Sequence, residues 1–235
     1  MSNLESLGFK IDSSQAFERL VSTILQEGQE IEVESGKYIC YRDSSGAMIY
    51  AQIDTHGEFV GFMPFYDTKI RREIHIEQLL INDTLTVLDS RYLAKSEAGT
   101  YPFVFDLVNA KSRVLDVPSA EKLPFVAFPT EIEYFATSQA FLEEMPELSM
   151  SYFIPVGLMT PEGEANENPE PYAMFIAKIN NVELKVNSYS GERFYVLEVS
   201  ALEGDLTIVT SFKSLKIQPE VGGFINGVYW MGAEV

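Results

Sequence analysis

The sequence predicts a mainly β protein of the α+β class, built from two packed small barrels or strongly bent antiparallel sheets. Two observations lead to this prediction. Apolar, β-branched and aromatic residues alternate with polar ones along many short segments, a pattern typical of half-buried strands. Glycine, asparagine and serine interrupt these segments, and such residues let a sheet turn and bend. The pattern is clearest in residues 172–235, which predict a small barrel of the OB or SH3-like type.

The chain opens with its clearest helix, predicted over residues 12–26. Asp12 and Gln15 resemble a capping box, and Gly28 supplies a C-terminal stop. Six apolar side chains fall on one face, so we expect the helix to pack on the rest of the protein through that face. They are Ala16, Phe17, Leu20, Val21, Ile24 and Leu25.

Alternating segments after this helix predict four strands, over 30–33, 37–41, 47–53 and 58–65. A less regular segment, 74–81, then leads through Asn82 and Asp83 into 84–88. Because Asn-Asp pairs favour tight turns, we predict a hairpin at this place. These elements make up the first predicted unit, residues 1–92.

Residues 93–136 are predicted to form a connector that is rich in strands and packed between two units. Pro102 and Pro124 each begin an apolar run, at the position of an edge strand where the missing N–H of proline is harmless. Residues 132–135 continue the apolar pattern. These buried pieces favour two halves that share an interface over two halves that tumble separately.

The second predicted unit, residues 137–235, begins with a short helix over 138–145. The next segment, 155–171, holds four prolines and four glutamates, which is typical of a mobile or Ω-type loop. Its carboxylates and asparagines can gather calcium, but their order differs from a known calcium loop, which favours a solvated acidic loop. The apolar segments of the barrel are 172–186, with a bend or bulge at Asn180–Asn181, 193–199, 206–210, 212–217 and 221–230.

Short motifs recur in the same order in the two units. The matching pairs are 14–17 with 138–141, 45–50 with 190–195, 57–58 with 204–205, and 65–70 with 212–217. Their constant order predicts an internal duplication. The alternative is that β-hairpins reuse Ser-Gly turns and aromatic strands by composition alone.

Composition and charge limit the classes of function. The chain is 46% hydrophobic and 22% charged, a globular profile, and its 17 basic and 35 acidic residues give a formal charge of −18. Such a charge repels phosphate backbones and anionic membranes, so we predict no membrane association and regard nucleic acid as an unlikely partner. It favours a protein partner with a basic surface. The alternative is a charge that only keeps the protein soluble.

One basic cluster interrupts this acidity, at Lys69, Arg71 and Arg72. Glu73 and Glu77 lie beside it, which favours a solvated face over an anion site.

The sequence predicts a cytoplasmic protein. Its first residues lack the basic and apolar regions of a secretory signal, and no apolar run approaches the roughly 18 residues of a membrane-spanning helix. Cys40 is the only cysteine, which excludes an internal disulfide and a zinc site built on cysteines. Because Ile39 and Tyr41 flank it on a predicted strand, Cys40 is expected to be a small core residue and not a nucleophile.

No catalytic or cofactor motif is found in the sequence. The two histidines, His56 and His75, lack the neighbours of a nucleophilic triad and the spacing of a metal site, and no glycine-rich nucleotide loop occurs. We therefore predict no catalytic residue, no metal site and no cofactor. Catalysis by a pair of carboxylates stays open, because any two of the 35 acidic side chains can meet in the fold.

Aromatic residues in the second unit give the candidate binding residues. OB barrels bind single strands by stacking bases on exposed rings beside cations. The alternative is that these rings pack in the core or at its rim. The predicted binding residues are Tyr189, Arg193, Tyr195, Tyr229 and Trp230.

Four segments carry a resemblance to known proteins: Tyr41–Tyr50, Tyr101–Asp106, Ser151–Pro155 and Gly222–Gly232. Together they resemble a set of uncharacterised bacterial proteins with an OB-like C-terminal barrel. The ending Gly-x-Tyr-Trp-x-Gly is similar to the last strand of an OB barrel. Because the shared motifs are turns, strands and prolines, the resemblance implies a fold and no activity.

The sequence therefore predicts a non-enzymatic binding protein that acts through a protein–protein interface, at a barrel groove or at the loop 155–171. One alternative is a small-ligand receptor or enzyme with a carboxylate-lined cleft between the units. A second alternative is an OB-type protein that binds single-stranded nucleic acid.

Overall fold

A computed structural model describes residues 2–81, 85–96 and 101–235. Strands take up 50% of the protein and helices 15%, which confirms the predicted mainly β class. The strands form two sheets, one with four strands and one with nine. None of the helices in the described residues is both long and apolar enough to cross a membrane.

The described elements follow one another along the chain as three α-helices, three 3₁₀ helices (Ala110–Ser112, Val156–Leu158 and Phe212–Ser214) and thirteen strands. The α-helices are α1 (Asn3–Ser6), α2 (Ser14–Glu27) and α3 (Ser138–Glu144). The strands are β1 (Gln29–Val33), β2 (Gly36–Arg42), β3 (Ala47–Asp54), β4 (Phe59–Tyr66), β5 (Arg71–Leu80), β6 (Arg91–Ser96), β7 (Pro102–Leu107), β8 (Ser119–Phe135), β9 (Phe153–Ile154), β10 (Tyr172–Val186), β11 (Arg193–Ala201), β12 (Gly204–Ser211) and β13 (Phe224–Ala233).

The first sheet is an antiparallel meander in the order β1-β2-β3-β4, and α2 packs against it. The helix lies where the sequence predicts it, but Asp12 is not its cap. Ser13 takes that role, since its hydroxyl oxygen accepts a hydrogen bond from the Ala16 N–H (3.1 Å). Asp12 instead pairs with Lys10 at 3.0 Å. At the other end, the Gly28 N–H closes the helix on the Ile24 carbonyl.

The second sheet closes into two five-stranded rings that share the antiparallel pair β8–β13. At one end of this pair, β12 pairs with β8 and β10 pairs with β13. Strand β11 pairs with both β12 and β10, which closes the ring β8-β12-β11-β10-β13. At the other end, β5 and β7 flank the pair and β6 joins them. All pairings are antiparallel except β12 with β8 and β7 with β13. Five strands match the size of an OB barrel, and the OB assignment itself stays a prediction.

Successive side chains of the shared strands point to opposite faces of the sheet, so each strand contributes to two different hydrophobic clusters. Phe125 and Ala127 of β8 point into the rings, where they join the largest hydrophobic cluster. Val126 and Phe128 point outward and join a second cluster, which fills the space between the rings, the first sheet and the helices. A third, smaller cluster lies under α3, around Phe141. The long strands therefore hold the sheets together through both of their faces.

The region after β4 differs from the sequence prediction. Residues 82–84, which contain most of the predicted turn, lie outside the described residues. Residues 85–88 form no strand, and the antiparallel partners of β5 are β6 and β8, so the predicted strand over 84–88 is wrong in its described part. Because β5 and β6 belong to the second sheet, the change of sheet falls between Tyr66 and Arg71. The predicted unit boundary at residue 92 therefore lies within β6.

The second predicted unit follows the sequence closely, except in the segment 212–217. The bulge expected at Asn180–Asn181 is present as a register shift between β10 and β11. The segment 212–217 is not a strand, since Phe212–Ser214 forms a 3₁₀ turn. The loop 155–171 folds back on itself through a bridge between Met159 and Ala165.

Of the repeated motifs, 45–50 and 190–195 both include a turn between two antiparallel strands. Ser45–Gly46 joins β2 to β3, and Ser190–Gly191 joins β10 to β11. The first meander lies in an open sheet, whereas the second belongs to a closed ring. The internal duplication stays a prediction.

Candidate functional site

The five predicted binding residues do not form one surface. Tyr195, Tyr229 and Trp230 are buried. The ring of Tyr229 stacks on Phe175 with centroids 4.3 Å apart, and the Trp230 indole N–H donates to a carboxylate oxygen of Asp106 at 3.1 Å. These three rings are packing residues and offer no exposed face on which a base can stack.

Arg193 lines a cleft of about 490 Å³ between residues 5–12 and the ends of β11 and β12. The guanidinium of Arg193 lies 3.7 Å from the centre of the Phe212 ring, and Phe212 packs on Tyr195 with centroids 5.4 Å apart. Tyr189 packs on Phe9, which lines the same cleft, with centroids 6.1 Å apart. The sequence therefore predicted three residues at or directly behind this cleft.

Local backbone geometry places the N-terminal segment against the ring. Gly8 has φ +80°, and a Cβ at this position would lie 2.9 Å from the Cβ of Asn187. Only glycine accepts both the backbone angle and this close approach without strain. The Asn187 side chain donates to the Leu7 carbonyl at 2.9 Å, and the Ser190 hydroxyl donates to the Gly8 carbonyl at 2.6 Å.

The charges in the cleft are mostly paired. Lys10 pairs with Asp12 at 3.0 Å, and Lys213 pairs with Glu192 at 2.9 Å. The hydrogen bond and the charge of Lys10 lower the pKa of Asp12, and Lys213 does the same to Glu192. Arg193 forms no ion pair with any described residue. Neither histidine lines the cleft, so its lining offers no imidazole as a general base.

A second concave surface lies between α2 and β4, and we name it the aromatic groove. It has a volume of about 450 Å³ and is lined by Phe17, Glu18, Val21, Leu25 and Phe59, together with Ser22 and Gln26. Phe17, Phe59 and Phe62 contact one another with ring centroids 4.7–6.4 Å apart.

The aromatic groove exists because the apolar face of α2 is wider than the part that is buried. Leu20 and Ile24 are buried against the sheet, whereas Phe17 and Leu25 are 36% and 45% exposed. The helix therefore packs on the sheet through part of its apolar face, and Phe17 and Leu25 stay partly exposed. Phe59, 38% exposed, completes the surface from the edge strand β4. The signal in the sequence was a run of six apolar residues, broader than a helix on a single sheet requires.

No metal centre is indicated by the geometry, since no group of three His, Cys, Asp or Glu side chains within 2–81, 85–96 and 101–235 is placed to hold an ion. Cys40 is buried, and burial raises the pKa of its thiol. The predicted solvated face at Lys69, Arg71 and Arg72 is wrong for Arg72, which is buried.

Comparison of the chain with protein-family models, curated proteins and solved structures finds no match.

Proposed function

We propose that the protein is a non-enzymatic binding protein and that the aromatic groove receives its protein partner. The observation that carries this proposal is the contact group of Phe17, Phe59 and Phe62, in which Phe17 and Phe59 are exposed. Grouped apolar side chains on a surface mark interaction sites. Aromatic anchors in such pockets supply most of the binding energy of an interface.

The charge around the aromatic groove defines the partner. Glu18 lines the groove, and Glu58 directly precedes Phe59 in the chain. Together with the formal charge of −18, these carboxylates favour a segment that has apolar anchors flanked by lysine or arginine. Complementary charge speeds the encounter, while burial of the aromatic side chains supplies the affinity.

A cytoplasmic location belongs to the same proposal, since a single buried cysteine needs no oxidising compartment.

Selection from a library of random peptides, followed by calorimetry, tests the proposal. We expect the selected peptides to combine aromatic or aliphatic residues with lysine or arginine. Replacing Phe17 or Phe59 by serine is expected to weaken their binding by roughly tenfold or more, about 1.4 kcal/mol, because a buried anchor is lost. Both side chains are partly exposed, so the variants are expected to fold.

Leu142→Ser is the matched control. Leu142 is 41% exposed, like the residues of the aromatic groove, but lies on α3. This variant is expected to bind the selected peptides as tightly as the wild type does. Equal affinity for the wild type, Phe17→Ser and Phe59→Ser would exclude the aromatic groove as the binding surface.

A further inference from the structure

Arg72 of β5 is a buried cation whose side chain is only 3% exposed. Its three nitrogens, Nε, Nη1 and Nη2, have no hydrogen-bond acceptor in the part of the chain that the structure describes. The nearest carboxylate oxygen, from Glu203, lies 4.0 Å from Nη2, beyond hydrogen-bonding distance. Because a guanidinium carries five N–H donors, leaving all of them unbonded in a buried place is costly.

Aromatic rings compensate for only part of this cost. The Arg72 guanidinium lies 4.6 Å from the centre of the Phe103 ring and 5.8 Å from that of Phe125. The ring faces attract the positive charge but do not replace in-plane acceptors for its N–H groups. Burial lowers the pKa of Arg72 to about 10, against the opposing effect of Glu203, so the side chain is still charged at neutral pH.

Glu203 does not serve as the missing acceptor, because neither of its carboxylate oxygens is hydrogen-bonded to the guanidinium. One oxygen of Glu203 accepts a hydrogen bond from the Ser96 hydroxyl, and the other has no partner among the described residues. The next residue, Gly204, has φ +117°, and a Cβ there would lie 3.5 Å from the Arg72 Nε. The absence of a side chain at Gly204 therefore leaves room beside the guanidinium.

A pocket of about 440 Å³ opens at this place, on the seam between the two rings. Besides Arg72 and Glu203, the charged groups that line it are Arg71, Glu73, Lys122 and Asp205. Lys122 pairs with Glu73 at 2.9 Å, and Asp205 accepts a hydrogen bond from the Ser200 hydroxyl at 2.6 Å. The pocket thus lies against one buried guanidinium whose three nitrogens have no acceptor among the described residues, while Glu73, Lys122 and Asp205 around it already have partners.

We propose that this pocket binds a small organic acid, whose carboxylate accepts two parallel N–H hydrogen bonds from Arg72. The planar fork of a guanidinium matches the two oxygens of a carboxylate. A carboxylate with a single charge fits better than a doubly charged phosphate, because Glu203 and Asp205 line the same pocket and repel additional negative charge. The site is independent of the aromatic groove and shares none of its lining residues.

Acetate, propionate and pyruvate are the probes, with inorganic phosphate and chloride at equal ionic strength for comparison. We expect the carboxylates to raise the melting temperature of the wild-type protein and to bind with a Kd on the order of 1 mM, as suits one bidentate pair. Arg72→Met is expected to abolish the effect. Arg72→Lys keeps the charge but not the fork, and is expected to weaken binding by roughly tenfold. Lys213→Met, whose side chain is 73% exposed and lies outside this pocket, is the matched control and is expected to bind the carboxylates like the wild type.

A second readout uses only the wild-type protein and therefore holds even where an Arg72 variant fails to fold. Titration with acetate is expected to shift the Nε–Hε resonance of Arg72 in the NMR spectrum, while the other arginine Nε–Hε resonances stay in place. No shift at Arg72 would overturn the proposal, as would equal stabilisation of the wild type and Arg72→Met. Stronger binding of phosphate than of carboxylates would overturn the assigned ligand class.

Discussion

At the scale of single residues, Asp43 shows how a buried carboxylate joins separate parts of the fold. Its oxygens accept hydrogen bonds from the backbone N–H groups of Ser45 (2.8 Å), Ser188 (3.0 Å) and Tyr189 (3.2 Å), and from the Ser188 hydroxyl. The carboxylate thus connects the β2–β3 turn with the β10–β11 turn. Burial raises the pKa of Asp43, but the hydrogen bonds from Ser188 and Ser45 outweigh it and hold the pKa below its ordinary value.

We expect Asp43→Asn to destabilise the protein at neutral pH by about 2 kcal/mol, because an amide accepts fewer of these hydrogen bonds and carries no charge. Since the folded pKa is lowered, the contribution of Asp43 is fully present above its unfolded pKa of about 3.9 and is lost as the pH falls through the lower folded value. Urea unfolding of both proteins at pH 7 and near pH 3 measures this. Equal stabilities at pH 7 would contradict the assigned role.

Glu234 presents the opposite case. Tyr50 donates its hydroxyl hydrogen to a Glu234 carboxylate oxygen, but burial is the larger effect and raises the pKa of Glu234. Because the pKa of Glu234 is raised in the folded state, folding favours the protonated carboxyl group. The contribution of the protonated Glu234 to stability is fully present below its unfolded pKa of about 4.3 and is lost as the pH rises through its folded pKa.

Glu234→Gln is therefore expected to stabilise the protein at pH 7 by roughly 1 kcal/mol, because the amide keeps an acceptor for Tyr50 without a buried charge. The gain should vanish near pH 4, where the wild-type carboxyl group becomes neutral. Thermal unfolding across this range checks both parts. A variant that is less stable at pH 7 would show that the charge contributes favourably.

At the scale of elements, alternation in the sequence located most strands but could not assign their partners. β8 is predicted as two separate pieces, an apolar run that begins at Pro124 and the segment 132–135, yet it is one strand of 17 residues. Pro124 is tolerated opposite Arg71, and Pro129 lies beside the register shift between Val228 and Tyr229 of β13. A bulge of this kind accommodates a residue without an N–H, and its position depends on the partner strand and not on the local sequence.

For the candidate sites, too, the sequence identifies some of the residues and misses others. Arg193 was found because a cation beside aromatic residues is visible in the sequence. The sequence predicts a solvated face for Arg72, because two glutamates lie near it in the chain. The sequence does not show that Phe103 and Phe125, which are distant in the chain, lie beside its guanidinium in the fold. The sequence also does not reveal which apolar residues of α2 stay exposed. Helical periodicity gives the width of the apolar face of a helix, but not the width of the protein surface against which that face packs.

At the scale of the whole molecule, the shared β8–β13 pair makes the two rings mechanically dependent on each other. The interiors of both rings belong to one hydrophobic cluster. Phe105 of β7 packs edge-on against Phe125 of the shared strand β8, with ring centroids 5.1 Å apart. Damage to one ring therefore reaches the strands that close the other.

We expect Phe105→Ala to lower the free energy of unfolding by about 3–5 kcal/mol, because the fully buried ring leaves a cavity. Hydrogen exchange should accelerate in β10 and β11 of the other ring as much as in β6, since both rings lose their closure when β8 and β13 separate. Val114→Ala, at a position 84% exposed, is the control and should change neither quantity. Acceleration confined to β5, β6 and β7 would mean that the rings unfold separately and that the shared pair does not couple them.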